Sequence, residues 1–327
     1  MGGKTRRRGF VAAACLCAAL GGCGQSADKS SDGAAARTPA PVPRVVLTAD
    51  ERQLWAPGPP DRSVVPVLLY HGVAPVADFS KRMDADLGID AEAFARQMVL
   101  LHHAGYETIT LDEFVRFIGR EDVSLPPRPL LLTYDRARAD SWTGSDGILR
   151  ELDFNAVLFV DVGRVDAKDP EYLTWGELNA LQRSGRWDVQ LQSGSGHHQI
   201  RYGAAPDDVG PFYAYRGSEE RLDGWRERVF SDITWGEEQL SFRVRSYRPL
   251  AFAPPYGNYG QAGTNDRRIP RELLARLFDS FDVVFTQDRS GFAAPGAGQG
   301  EPLGRMEITR AITDEELHAW LVSGARR

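Results

Sequence analysis

Several side chains able to do chemistry stand directly after short apolar runs in this chain. His71 follows residues 65–70, Asp135 follows 129–134, Gln192-Ser193 with His197 and His198 follow 189–192, and Pro254-Pro255-Tyr256-Gly257 follows 250–253. A carboxylate and imidazoles brought together can move protons or hold a divalent metal. Next to Asp135 stands Arg136, which cannot lose its proton near neutral pH and cannot coordinate a metal.

The elements that must position these groups alternate along the chain. Residues 65–70, 106–110, 129–134, 156–162, 189–192, 250–253, 283–286 and 306–309 read as strands, several of them apolar enough to be buried on both faces. Between them lie helical stretches at about 90–103, 110 onward, 145–152, 174–185, 219–243, 271–278 and 313–322. Asp90 is a cap residue, Thr110-Leu111-Asp112-Glu113 and Thr174-Trp175-Gly176-Glu177 are capping boxes, and Gly105 and Gly185 are stop signals. Such alternation predicts a mostly parallel sheet in a single α/β domain, with its chemistry at the carboxyl ends of the strands.

The N-terminus reads differently. Lys4, Arg6, Arg7 and Arg8 precede an apolar stretch over residues 10–20 that is too short for a mature membrane helix. Residues 1–22 are therefore expected to be a lipoprotein signal peptide. Leu20-Gly21-Gly22-Cys23 resembles a bacterial lipobox, which implies Cys23 as a lipid anchor, and Arg7-Arg8-Gly9-Phe10-Val11 resembles a twin-arginine export signal. All three cysteines lie in this leader, so the folded part has no thiol to pair. The Ser, Ala and Pro-rich stretch that follows is expected to be a flexible tether over 23–60, with the domain at 61–327. The predicted location is the bacterial envelope, exported and lipid-anchored.

The chain has 39 Lys and Arg against 45 Asp and Glu. Loss of residues 1–22 would remove four basic groups and no acidic ones, for a balance of −10. That excess argues against nucleic acid as a partner.

Four motifs carry a resemblance. Val67-Leu68-Leu69-Tyr70-His71-Gly72, Leu132-Thr133-Tyr134-Asp135, Ala156-Val157-Leu158-Phe159-Val160 and Phe252-Ala253-Pro254-Pro255-Tyr256-Gly257 occur in the order found in the polysaccharide deacetylase family, also called the NodB homology or carbohydrate esterase 4 family. The chain is most similar to the branch that deacetylates poly-N-acetylglucosamine. The resemblance implies a distorted barrel of the (β/α)7 type. It also implies a substrate, an N-acetylglucosamine-containing polysaccharide, and a reaction, hydrolysis of the N-acetyl amide at a divalent metal such as zinc.

Carried over residue by residue, Asp135 matches the family's general base and Arg136 stands where a metal-ligating aspartate belongs. Aligned through Ser193, the two histidine ligands fall on Gln192 and His197; a shifted register uses Gly194 and His198. Either way two of three ligands are replaced. Pro255 and Tyr256 match the motif whose tyrosine backbone serves as an oxyanion donor, and the last motif's histidine has no counterpart near residues 306–309. A fixed cation within ~4 Å of a metal would cost on the order of a few kcal/mol at an effective dielectric near 20, and Arg136 is expected to pair with Asp135 and weaken it as a base. His102, His103 and His318 read as packing or surface residues, while His71 is expected to line the pocket. Two functions follow. One is a deacetylase with an atypical or weakened metal site using Asp135 with His197 or His198, joined by His71 or Asp140. The other is an inactive descendant that binds or scaffolds an exported polysaccharide through His71, Arg136, Gln192, Pro255 and Tyr256.

Overall fold

A computed structural model describes residues 37–75, 78, 86–166 and 169–324. The expected signal peptide, Cys23 and the start of the tether lie outside the described residues. No helix among the described residues is long and apolar enough to cross a membrane.

The strands are β1 (Val65–Tyr70), β2 (Glu107–Thr108), β3 (Pro129–Tyr134), β4 (Ala156–Asp161), β5 (Trp187–Ser193), β6 (Gln199–Arg201), β7 (Val209–Pro211), β8 (Ala251–Phe252), β9 (Val283–Thr286), β10 (Phe292–Ala293), β11 (Leu303–Gly304) and β12 (Met306–Glu307). The helices are α1 (Ala49–Leu54), α2 (Ala91–His103), α3 (Leu111–Ile118), α4 (Ala139–Thr143), α5 (Asp146–Glu151), α6 (Trp175–Ser184), α7 (Leu222–Arg243), α8 (Ile269–Ser280) and α9 (Asp314–Gly324).

Strands β1, β3, β4, β5, β8 and β9 run parallel in that order, and β11 pairs parallel with β9. One residue beyond β11, β12 pairs parallel with β1, Leu68 beside Met306 and Leu69 beside Glu307. Residues 303–307 thus bridge the last strand to the first and close the sheet into the expected (β/α)7-type barrel. Short antiparallel β10 borders β1, and β6–β7 form a separate hairpin that local patterning did not reveal.

The uniformly apolar strands reflect two packed layers. Alternate side chains point to opposite faces. Val67, Leu131, Val157, Phe159, Ala251, Val283, Phe285 and Leu303 fill the barrel interior with α3 side chains below. Leu68, Leu132, Leu158, Val189, Phe252 and Val284 face the surrounding helices.

The predicted helix starts are present. Asp90 accepts from the Glu92 amide, and Thr110–Glu113 and Thr174–Glu177 form reciprocal capping boxes. Gly185 ends α6 at φ 71°, a left-handed conformation that favours glycine.

The expected tether ends sooner than residue 60. From residue 37 onward the chain is packed on the domain: Arg37 Nη1 lies 2.7 Å from Glu177 Oε2, Thr48 and Glu51 cap α1, and Trp55 is fully buried against His318 at 5.0 Å between ring centroids. Pro and Ala dominate the local composition, but the large apolar Leu47 and Trp55 supply enough buried surface to order the segment.

Candidate functional site

Parity along the strands determines what lines the barrel's carboxyl mouth. Leu131, Thr133 and Asp135 alternate inward on β3 and its exit. Phe159 is interior and registers with Gln190, so Gln192, two residues on, also faces in. His71 leaves β1 beside them. Asp135, His71 and Gln192 are all buried.

Asp135 is held by a partner absent from the sequence reading. Arg305 Nη1 and Nη2 lie 2.7 and 3.0 Å from its two carboxylate oxygens. Arg305 comes from the single residue between β11 and β12, where the barrel closes, and its guanidinium sits 5.4 Å from the Phe159 ring centroid and 5.8 Å from that of Phe285. Burial pushes the Asp135 carboxyl up, but Arg305, through charge and hydrogen bonds, with His71 and His197 beyond, holds it below the usual carboxylate range. The expected lowering is present, yet its cause is Arg305 and not Arg136. A sequence scan for the family's last histidine passes over Arg305 because nothing local distinguishes it from a surface arginine.

Arg136 points elsewhere. Its Nε lies 3.4 Å from His197 Nε2, and the His197 ring packs edge-on to Tyr256, centroids 4.8 Å apart. Burial first, and Arg136 second, push the His197 imidazole down to about 3, so it is neutral at physiological pH. His198 is separated from this group. Its Nδ1 meets the Ser195 carbonyl at 3.1 Å and its ring lies on Phe212, exposed to solvent. The two adjacent histidines therefore do not act together, because their side chains leave the loop in different directions.

His71 Nε2 is 2.9 Å from Glu307 Oε1, and Gln287 Nε2 donates to the same oxygen at 3.0 Å. The parallel pairing of β12 with β1 brings Glu307 there. Asp140, another candidate, packs its carboxylate against Gly72 and faces Arg138, which also engages Glu171.

The loop carrying His197 is anchored by α7. Asp232 accepts from the Gly194 amide at 3.0 Å, the Ser195 amide at 2.7 Å, Ser195 Oγ at 3.0 Å and Tyr213 Oη at 2.5 Å. A Cβ at Gly194 would lie 2.3 Å from the Asp232 carbonyl, so only glycine fits there. At the end of β4, Asp161 accepts from Ser193 Oγ at 2.9 Å and lies 3.8 Å from Arg164 Nε. Burial pushes its carboxyl up to about 6, against the pull of Ser193 and Arg164. It follows a uniformly buried strand, the one signal that could have marked it.

Pro255 is buried and Tyr256 is exposed over the mouth, its backbone at φ 61°. Of the aromatics suited to sugar stacking, Tyr213 and Tyr259 are buried, whereas Tyr215 stacks on Tyr202 at 4.6 Å.

A zinc or similar ion does not fit these donors. Both Asp135 oxygens are committed to Arg305, Gln192 offers an amide, and His197 presents Nε2 to a guanidinium. Among the described residues no group of three His, Cys, Asp or Glu side chains could hold a metal. A dication ~4 Å from Arg136 would meet about 8 kcal/mol of repulsion at an effective dielectric of 20.

The sequence matches no family model and no curated protein. Solved structures are similar in fold. A de-N-acetylase from Aggregatibacter actinomycetemcomitans superposes with a TM-score of 0.66 at 16% identity, over 79% of this chain and 99% of that one. IcaB from Ammonifex degensii gives 0.61 at 22% identity, over 81% and 98%. The BpsB deacetylase domain from Bordetella bronchiseptica gives 0.60 at 18% identity, over 77% and 98%. The four ordered motifs, the seven-position parallel barrel and these superpositions together give this chain the polysaccharide deacetylase fold.

Proposed function

We propose that this protein binds an exported, N-acetylglucosamine-containing polysaccharide in the mouth of a deacetylase-type barrel, without metal-dependent hydrolysis. The observation that carries the reading is Arg136 Nε against His197 Nε2. A guanidinium stands where a ligated dication would need a carboxylate, and it faces the one imidazole left in the set. Polar groups suited to holding sugar remain. The Gln192 side-chain oxygen and His197 Nδ1 are buried with no hydrogen-bond partner among the described residues, and a hydroxyl or amide of a sugar can serve both. Tyr256 offers an exposed ring at the entrance. The lipoprotein leader would keep the barrel at the membrane surface where such a polymer emerges.

Amide hydrolysis is the second reading, favoured by Asp135 held rigidly beside His71. Its lowered proton affinity works against it, because a weaker base abstracts a proton less readily.

The two readings separate in one set of measurements on the purified chain: metal content, calorimetric titration with N-acetylglucosamine hexamer, and acetate release. Binding without stoichiometric metal and without acetate supports the binder. Acetate release abolished by Asp135→Asn would establish the hydrolase instead.

A further inference from the structure

Helix α7 turns one side to the barrel and carries an aromatic stripe on the other. Trp225, Val229, Ile233, Gly236 and Leu240 are buried along it. A Cβ at Gly236 would come within 2.7 Å of Leu191 Cδ1 and 3.1 Å of the Gly194 amide nitrogen, so the helix lies hard against β5. On the outer side Trp235 is 40% exposed and Phe242 87%, the highest value of any large apolar side chain among the described residues. They stand seven positions apart, which on a helix places them within about 20° of each other around the axis. A single exposed apolar side chain is ordinary, but two aromatics aligned on one stripe mark a surface that meets a partner.

The end of the helix adds positive charge beside Phe242. Asn179 of α6 donates to the Arg243 carbonyl at 2.6 Å and accepts from the Arg245 amide at 3.1 Å, which fastens the backbone on both sides of Val244. Arg243 lies 5.0 Å from the Trp175 ring centroid, and its Nε donates to Gln239 Oε1 at 3.1 Å. Both arginines are exposed, and neither has a carboxylate within ion-pair distance among the described residues. Arg248 pairs with Asp112 at 2.8 Å. Glu238, about 60° round the helix from Trp235, is the carboxylate beside the stripe; Glu237 is taken by Arg276 at 2.7 Å. Arginines near a helix C-terminus also complement its dipole, which accounts for Arg243 but leaves Phe242 in water unexplained.

We propose that this face docks on an anionic lipid bilayer, with Trp235 and Phe242 entering the interface and Arg243 and Arg245 meeting lipid phosphates. Aromatic side chains settle at headgroup depth, and arginine keeps its charge in the polar layer while its stem lies along apolar surface. A helix whose other side is packed on its own domain makes only a shallow contact, so it needs the cations as well as the rings. The expected lipid anchor at Cys23, fourteen positions before Arg37, limits distance alone, to about 50 Å of extended chain. Docking through α7 fixes orientation. The proposal does not depend on the glycan reading.

All seven tryptophans lie among the described residues and none in the expected leader, so tryptophan fluorescence reports on the domain even where the leader itself holds the chain to a vesicle. The test mixes the full chain with vesicles of phosphatidylcholine, alone or with phosphatidylglycerol, whose acyl chains carry bromine, a contact quencher of tryptophan. The expected result is quenching that requires phosphatidylglycerol, fades at high salt and is lost in Trp235→Phe. Phe242→Ser should shift the balance of docked and undocked domain about tenfold, read from the quenching. Arg243→Gln with Arg245→Gln should shift it by about tenfold or more, and Glu238→Gln should shift it the other way. These side chains are exposed, so the thermal midpoint should stay in place. No quenching, or quenching unchanged in both Trp235→Phe and Phe242→Ser, overturns the proposal. Equal quenching with and without phosphatidylglycerol overturns the assignment to an anionic surface. Unquenched Trp235 together with a solution dimer that Phe242→Ser dissociates also overturns it and gives the face to a second copy of the chain.

Discussion

Arg305 meets Asp135 with both arms of its guanidinium, at 2.7 and 3.0 Å, inside a barrel mouth that leaves each residue almost wholly buried. The pair joins the end of the third strand to the point where the barrel closes. Removing one partner leaves an unpaired charge in a low-dielectric site, and such losses cost about 3–5 kcal/mol. Arg305→Met should therefore lower the urea midpoint sharply, and Arg305→Met with Asp135→Leu should recover much of the loss. A single variant as stable as the parent would show that the pair does not hold the mouth together.

If Arg136 and Gln192 exclude a metal, restoring the donors should admit one. The Arg136→Asp/Gln192→His variant is expected to retain one zinc per chain through dialysis, raising the thermal midpoint. At zinc a hundredfold above its dissociation constant the gain would be about 2.7 kcal/mol. The parent chain should retain none. Failure of the double variant to take metal would mean that the loops have moved beyond simple replacement of ligands.

Asp161 gives a pH dependence whose sign can be worked out. Burial, chiefly, raises its folded pKa to about 6, above an unfolded value near 3.9. The folded chain thus holds this proton more tightly, so the group's stabilising contribution is complete below about pH 4 and is lost as pH rises through about 6. Asp161→Asn should raise stability at pH 7.5 by roughly 1–3 kcal/mol and bring no gain at pH 4. His197 runs the other way. Its folded value of about 3 lies below an unfolded value near 6.5, so its contribution is present above that and lost as pH falls toward 3. Chemical denaturation of parent and Asp161→Asn across pH 4–8 isolates the first effect, and parallel curves would exclude it.

Asp232 should matter beyond its own helix. Asp232→Ala strips the partners from the Gly194 and Ser195 amides and from the buried Tyr213 hydroxyl, at a cost of about 2–3 kcal/mol. Hydrogen exchange should accelerate at residues 194–196 well before the rest of the sheet. Uniform exchange along the sheet would point to a global rather than a local anchor.

Much of the barrel was legible from local pattern. Two-sided apolar strands, reciprocal capping boxes at Thr110 and Thr174, and Gly185 at a helix stop are short-range signals, and each predicted element stands within a few residues of its expected place. The β6–β7 hairpin and the early ordering at Trp55 were not legible, since strands of three residues carry too little pattern to read and a lone tryptophan in a Pro-rich stretch gains its stability from a distant partner. The site divided the same way. His71, Asp135, Arg136, Gln192, His197, Pro255 and Tyr256 stand at strand ends, where alternation of elements predicts the mouth. His198 turned away onto Phe212.

The sequence by itself determined the order of strands and helices, the end of the barrel that carries the polar groups, and the presence of Arg136 and Gln192 among them. These follow from periodicity, capping and residue chemistry, which are local. Only the tertiary structure decided which cation holds Asp135. Arg305 lies 170 residues from Asp135 along the chain, and the barrel's closure through residues 303–307 brings them together. Charge pairing inside a folded mouth depends on through-space distance and burial, and neither is written in the neighbours of a single residue.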